Sequence, residues 1–303
     1  MAEPTILTEK SVAQARPETP TLEVFQSLPG DLATRDSQDL MAYPFFSLAK
    51  SKRIVPIVFR TRDIYVKVEG THEHGIATIW DADVLLWAAS QIVEARDQHL
   101  PTSRLMAATP YEILRFIGRG TGNQHYERLK AALDRLQSTT VATSIRQAAA
   151  RRLPRCSWIN AWKERADERG RPQGISLVLP DWFYSGLMDS SLILTLDPMY
   201  FTLTGGIERW LYRLVRKHAG RQPKGWQFEF SHLYAKSGSA MRASDFACHV
   251  RRIAESQALP GYQLHVERRK SGEQILTFRR RGHPPVKQLI RQLTQQLKFG
   301  DKL

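Results

Sequence analysis

The chain has 303 residues, 42% of them hydrophobic, two cysteines and a formal net charge of +14 at neutral pH. That length exceeds one ordinary core and predicts two domains, and Cys156 and Cys248 are too isolated to build a disulfide framework or a thiolate zinc site. No apolar run approaches the roughly 18 to 20 residues needed to cross a bilayer, and the N-terminus, with Glu3, Glu9, Glu18 and Glu23, lacks a basic-then-apolar leader pattern, so the sequence predicts a cytoplasmic protein without membrane association.

The charge is unevenly spread. Residues 1–50 carry 4 basic and 7 acidic side chains, residues 51–198 carry 20 and 16, and residues 199–303 carry 20 and 7. Such a concentration attracts polyanions by releasing their counterions, so double-stranded DNA is the expected partner; a merely solvated basic surface and an anionic membrane surface are the alternatives.

Residues 1–40 mix Pro, Thr, Glu and Asp without apolar periodicity and read as a disordered acidic arm. From Tyr43 folding is expected to begin. Three runs rich in β-formers, Val55–Phe59, Ile64–Val68 and Ile76–Trp80, separated by Gly70 and Gly75, predict a small antiparallel sheet. A helix follows, capped by Asp81 or Asp83 and closed by Pro101, with Leu85, Ala88, Ala89, Ile92 and Arg96 at helical spacing. A short helix from Thr109 or Pro110 to Ile117 and a glycine turn over Gly118–Gly122 lead into a longer helix striped by Tyr126, Leu129, Leu133 and Leu136. Opposite that stripe lie Gln124, Glu127, Arg128, Ala131 and Arg135. A strand run over Thr139–Arg146 comes next, and its return strand is expected near Cys156–Trp162, making a wing. Short helix, turn, longer helix and hairpin is the order of a winged helix-turn-helix.

That order returns near the C-terminus. Ile207, Trp210, Leu211, Leu214, Val215 and His218 predict an amphipathic helix stopped by Gly220. Helices over Phe230–Lys236 and Arg242–Gln257 flank Gly238, the second buried through Phe246, Val250 and Ile253, and Tyr262–Arg268 with Gln274–Arg280 form a hairpin around Ser271–Gly272. The fold class expected is α+β, two tandem winged helix-turn-helix domains, the first with additional antiparallel strands. The expected division is an arm over 1–40, a first domain over 41–190, a DNA-binding domain over 191–282 and a basic tail over 283–303.

Opposite Phe246, Val250 and Ile253 stand Ser244, Asp245, Cys248, Arg251 and Arg252, a face suited to base edges in a major groove, where arginine pairs bidentately with guanine. Arg242 and Lys236, near the helix start, suit phosphates. Arg268, Arg269 and Lys270 at the hairpin tip and Arg279, Arg280 and Arg281 at its exit suit backbone or minor groove. Gln124, Arg128 and Arg135 form the weaker, auxiliary candidate face, diluted by Glu127 and Asp134. For each cluster the alternative is a solvated charged surface.

Catalytic chemistry is not expected. His72-Glu73-His74 is the pattern with which nicking enzymes hold a metal, but a central glutamate between Gly70 and Gly75 suits an exposed turn better than a strand. There is no phosphate-binding loop with its lysine, and Gly118-Arg119-Gly120 is expected to have no strand before it, helix packing explaining its glycines better. The sequence therefore implies no metal, cofactor or catalytic residue.

Four segments resemble the plasmid replication initiator protein A family: Met41-Ala42-Tyr43-Pro44-Phe45-Phe46-Ser47-Leu48, Thr109-Pro110-Tyr111-Glu112-Ile113-Leu114-Arg115-Phe116, Leu179-Pro180-Asp181-Trp182-Phe183-Tyr184, and the long run from Leu203 to His218. The resemblance spans about residues 40–281. It implies an initiator that recognises repeats at an origin, opens adjacent DNA and recruits a host initiator and replicative helicase, with dimerisation or autorepression through the first domain. A transcriptional repressor and, less favoured, a metal-dependent nickase are the alternative functions.

Overall fold

The computed structural model describes residues 23–147, 153–220, 222 and 224–282. Residues 1–22 of the expected arm, the basic segment 148–152 and the tail 283–303 lie outside the described residues. The elements, in chain order, are β1 (Val24–Gln26), β2 (Arg35–Ser37), α1 (Gln38–Ala42), β3 (Ile57–Arg60), β4 (Tyr65–Glu69), α2 (Ala82–Asp97), β5 (Leu105–Ala108), α3 (Pro110–Phe116), α4 (Asn123–Ser138), β6 (Thr140–Thr143), β7 (Arg155–Ser157), β8 (Ala161–Ala166), β9 (Pro172–Val178), α5 (Asp181–Met188), β10 (Ile193–Thr195), α6 (Gly206–Ala219), β11 (Trp226–Glu229), α7 (Phe230–Ser237), α8 (Ala243–Ser256), β12 (Tyr262–Arg268) and β13 (Gln274–Arg280). Among the described residues no helix is long and apolar enough to cross a membrane.

One arrangement occurs twice. In the first half α2, β5, α3, α4 and the β8–β9 hairpin follow one another, and β5 pairs antiparallel with β9. In the second half α6, β11, α7, α8 and the β12–β13 hairpin follow in the same order, and β11 pairs antiparallel with β13. The short strand after the first helix thus lies beside the last strand in both halves. The helix boundaries follow local chemistry. Thr109 closes a capping box with Glu112 ahead of Pro110, and Gly238 ends α7 in the left-handed conformation at φ +58°, which glycine adopts at little cost.

Three expectations are corrected. Thr140–Thr143 does pair with Arg155–Ser157, but this hairpin joins β4 and β3 in a separate sheet of order β3-β4-β6-β7. The hairpin that follows the long helix of the first repeat as β12–β13 follows α8 is instead β8–β9, its tip at 167–171. Ile76–Trp80 is a buried irregular segment: its amides are satisfied singly, Ile76 by the Arg53 carbonyl at 2.7 Å, Ala77 by the Thr139 hydroxyl at 2.8 Å and Thr78 by the Asp81 carboxylate at 2.7 Å. Its place in the sheet is taken by β6. The expected arm is folded from Val24 onward, since β1 runs parallel to β5 and β2 pairs with β10.

The last pairing also removes a clean boundary at residue 190, because β10 belongs with β2. α2 is buried along nearly its whole length. α6 packs against α1, α8 and the strands β11 and β13, with both faces covered. Its polar face is turned inward: Arg209 donates to both oxygens of Asp83 at 2.7 and 2.8 Å, and Arg213 grips Asp36 at 2.7 and 3.1 Å. All four side chains are essentially inaccessible. Burial pushes the Asp83 and Asp36 carboxyls up from the usual range, and the guanidinium groups oppose that push. Gly206, at the start of α6, is required by proximity: a Cβ there would lie 2.0 Å from the Leu48 carbonyl oxygen.

Where α6 ends, His218 stacks edge-on against Phe228 at 4.9 Å, and its Nε2 is buried without a hydrogen-bond partner among the described residues. Desolvation, followed by the nearby Lys217, Lys236 and His232, lowers its pKa from 6.5 to about 4. The unfolded chain therefore takes up this proton first, so the contribution of His218 to stability is constant above pH 6.5 and falls as the pH drops from 6.5 to about 4. We expect a loss of about 2 kcal/mol across that window, below the full ~1.4 kcal/mol per unit because water still screens the half-buried ring. His218→Phe should flatten the urea-midpoint profile between those limits. An unchanged profile would show that His218 does not carry the acid sensitivity.

Candidate nucleic-acid interface

α7, the Gly238 turn and α8 form a helix-turn-helix fixed from within by Phe246, Val250 and Ile253, all buried, and by the Tyr234 hydroxyl donating to the Met241 carbonyl at 2.7 Å. With that stripe inward, Ser244, Asp245 and Arg252 are exposed, while Cys248 and Arg251 are half-buried. Glu255, not singled out from the sequence, is exposed on the same side. Arg251 donates from Nη1 to Gln274 Oε1 at 2.9 Å, coupling the helix to the first residue of β13. Arg242 occupies the N-cap position and is exposed.

The β12–β13 hairpin brings its cations to one end. Arg268 and Lys270 are exposed at the tip, with no ion pair among the described residues. Arg269 is engaged by Glu229 at 3.1 Å and Glu273 at 3.7 Å. At the exit Arg279 donates to Gln263 at 2.8 and 3.0 Å, Arg280 is exposed, and Arg281 donates to the Gln257 carbonyl at 3.2 Å.

Two expected contacts point elsewhere. Lys236 does not face a backbone: its ammonium donates to the Ala42 carbonyl at 3.3 Å and lies 4.9 Å from the Tyr43 ring centre and 5.8 Å from that of Phe59. Desolvation and the neighbouring Lys217 lower its pKa to about 8, so it is a packing group between the two halves. Arg135 is held bidentately by buried Asp81 at 2.7 and 2.8 Å. It braces α4 against the start of α2.

On α4, Gln124 and Arg128 are exposed, and Lys130 bridges Glu127 at 3.4 Å and Glu164 at 2.6 Å, tying the helix to β8. The β8–β9 hairpin adds exposed Lys163 and Arg169, whereas Arg171 is taken by Asp167 at 2.7 Å. Sequence reading missed Lys163 and Arg169 because it assigned the hairpin one turn too early. His72–Glu73–His74 lies on a turn closed by the Gly75 amide on the Thr71 carbonyl at 2.8 Å, with His72 exposed. Among the described residues no three His, Cys, Asp or Glu side chains converge as a metal site would need.

In fold class this is a mixed α+β protein similar to solved domains 2 and 3 of RctB, with TM-scores of 0.58 and 0.54 in two crystal structures at 14% and 13% sequence identity. The alignments cover 80% and 81% of this chain and 98% and 97% of those chains. The chain belongs to the Replication initiator protein A family, which it matches over residues 35–264. It is also 28% identical over 245 residues to a protein of Wigglesworthia glossinidia brevipalpis named as a replication protein, covering 80% of this chain and 86% of that one.

Proposed function

We propose that this replication initiator is a non-catalytic, sequence-specific binder of double-stranded DNA built from two tandem winged-helix units, 82–178 and 206–280. The observation that carries the reading is the exposed face of α8, where Arg252 and Arg251 stand beside Ser244 and Asp245, flanked by the cations of a hairpin. In a winged helix this second helix of the helix-turn-helix enters the major groove while the wing lies over backbone or minor groove. The first unit supplies auxiliary contacts from Gln124 and Arg128 on α4 and from Lys163 and Arg169 on its wing. The proposed biological role is recognition of origin repeats of a plasmid or integrative element in the bacterial cytoplasm, followed by opening of nearby DNA and recruitment of the host initiator and helicase.

Footprinting over the non-coding DNA beside its own reading frame, at about physiological ionic strength, with a supercoiled plasmid probed in parallel for melting, tests this. Several protected direct repeats with melting alongside are expected. A single protected inverted repeat without melting would make the protein a repressor, and cleavage of the supercoiled plasmid lost on His72→Ala would make it a nicking enzyme.

A further inference from the structure

Between α4 and the loops around residues 50–53 and 73–76 runs an open groove of about 780 Å³. None of its lining residues belongs to α8 or its hairpin. Its volume falls within the range of roughly 300 to 1,000 Å³ usual for small-ligand sites. The lining is of two kinds. Trp80 and Phe201, both half-buried, give it aromatic surface, together with Leu129 and Leu203. Around that surface stand Lys50, Lys52, Arg119 and Arg128.

These cations are largely uncommitted. Lys50 is exposed and lies 5.4 Å from the Trp80 ring centre; Lys52 donates only to the carbonyls of His72 and Glu73, at 3.1 and 3.4 Å. Arg128 is exposed and makes no ion pair among the described residues, and Arg119 spends one nitrogen on Asp83 at 3.3 Å while remaining about a third exposed. Of the acidic groups in the lining, Asp81 is neutralised by Arg135 and Asp134 accepts the Trp162 indole N–H at 3.0 Å. Asp134 and Glu73 therefore remain as acids in the lining without a neutralising arginine or lysine, Glu73 82% exposed at the rim. With Lys50, Lys52, Arg119 and Arg128 against those two acids, the groove is net positive over an aromatic floor.

We propose that this groove binds an unpaired nucleotide, its base against Trp80 and its phosphate between Lys50, Lys52 and Arg128. Aromatic surface beside mobile cations is the chemistry that holds single strands, because every base has a stacking face and every linkage a negative charge. A paired base offers its neighbours that face and the protein only its edge, so duplex DNA uses the cations but not the indole. Lys50 now lies against Trp80 and would be displaced onto the phosphate as the base arrives. The inference builds on the DNA-binding reading and shares only Arg128 with it, so the two are separable by experiment at Lys50 and Lys52.

The test uses the full chain with a fluorescent oligothymidylate of about 12 nucleotides. Lys50→Glu with Lys52→Glu, both exposed and outside the core, is expected to weaken that binding at least tenfold while leaving binding to an origin duplex within about twofold. Arg251→Ala with Arg252→Ala is expected to do the reverse. Ultraviolet crosslinking of a bromodeoxyuridine oligonucleotide should fall on the peptide carrying Trp80. Competition by ATP or GTP as strong as that by the oligonucleotide would identify a free nucleotide as the source of the same chemistry; competition by the strand alone would identify opened DNA. Unchanged oligonucleotide affinity in the Lys50→Glu, Lys52→Glu variant, or crosslinks confined to α8 and its hairpin, would overturn the proposal. Loss of duplex affinity equal to the loss of single-strand affinity in that variant would overturn it in favour of a duplex backbone.

Discussion

Arg209→Met is expected to cost about 3–5 kcal/mol of unfolding free energy, the usual penalty for stranding one member of a buried ion pair. Asp83 is fully buried and accepts two hydrogen bonds from Arg209. Without them its carboxylate keeps only the longer contact from Arg119 at 3.3 Å and must either stay charged and unpaired or take up a proton. Arg209 also donates to the carbonyls of Leu203 and Phe201, at 2.7 and 3.1 Å, so the substitution frees two backbone acceptors as well. Asp83→Leu combined with Arg209→Met should recover most of the loss, because an apolar pair of similar volume is often neutral or stabilising in such a site. Urea unfolding of the three proteins decides the matter. A loss below ~1 kcal/mol in Arg209→Met would mean that the pair specifies how α6 docks without stabilising it.

This pair shows why part of the molecule was legible in the sequence and part was not. α3, α4, α6, α7, α8 and the β12–β13 hairpin are encoded locally, by apolar spacing, by the Thr109 capping box and by the turn at Gly238, and reading along the chain finds them. Partner choice is not local. Thr140–Thr143 has the composition of a strand, yet whether it pairs with Tyr65–Glu69 or with Ala161–Ala166 depends on where α2 and α4 pack. The run Ile76–Trp80 has the same β-branched and aromatic content as a strand because burial selects those residues in any backbone. β11 was missed for a related reason: four residues become a strand only beside β13, some 50 positions later.

Charges are the least legible feature, because a charged side chain does not announce its partner. Arg209 and Arg213 are spaced like a solvated helix face, and what turns them inward are single carboxylates at Asp83 and Asp36. Asp36 lies in a segment whose composition predicts disorder. One buried ion pair and one buried aromatic, Phe25, help anchor that segment without creating any periodicity. Lys236, which its sequence position suits to a phosphate, and Arg135, on the auxiliary candidate face, are committed to Tyr43 and Asp81. Arg242, Arg252, Arg268, Lys270 and Arg280, by contrast, are exposed and make no ion pair among the described residues, although acids lie near several of them in sequence.

That distinction makes the contribution of each cation to DNA binding separable. Arg251→Ala and Arg252→Ala are each expected to weaken binding to the specific duplex by roughly 1–3 kcal/mol and to leave random duplex nearly unaffected, since a base contact is lost. Arg251 is oriented by Gln274 at 2.9 Å, so Gln274→Ala should give a smaller loss at the same base position and none in the Arg251→Ala background. Arg268→Ala with Lys270→Ala should lower affinity for all sequences alike and reduce the salt-dependence slope by about 2, close to one counterion per phosphate contact. Arg269→Ala should do less than either, because Glu229 and Glu273 already hold that guanidinium. Fluorescence anisotropy with specific and scrambled duplexes across a salt series measures all of these. Equal losses on both duplexes for Arg251→Ala and Arg252→Ala would place them on the backbone, and the reading face would then have to be sought on α4.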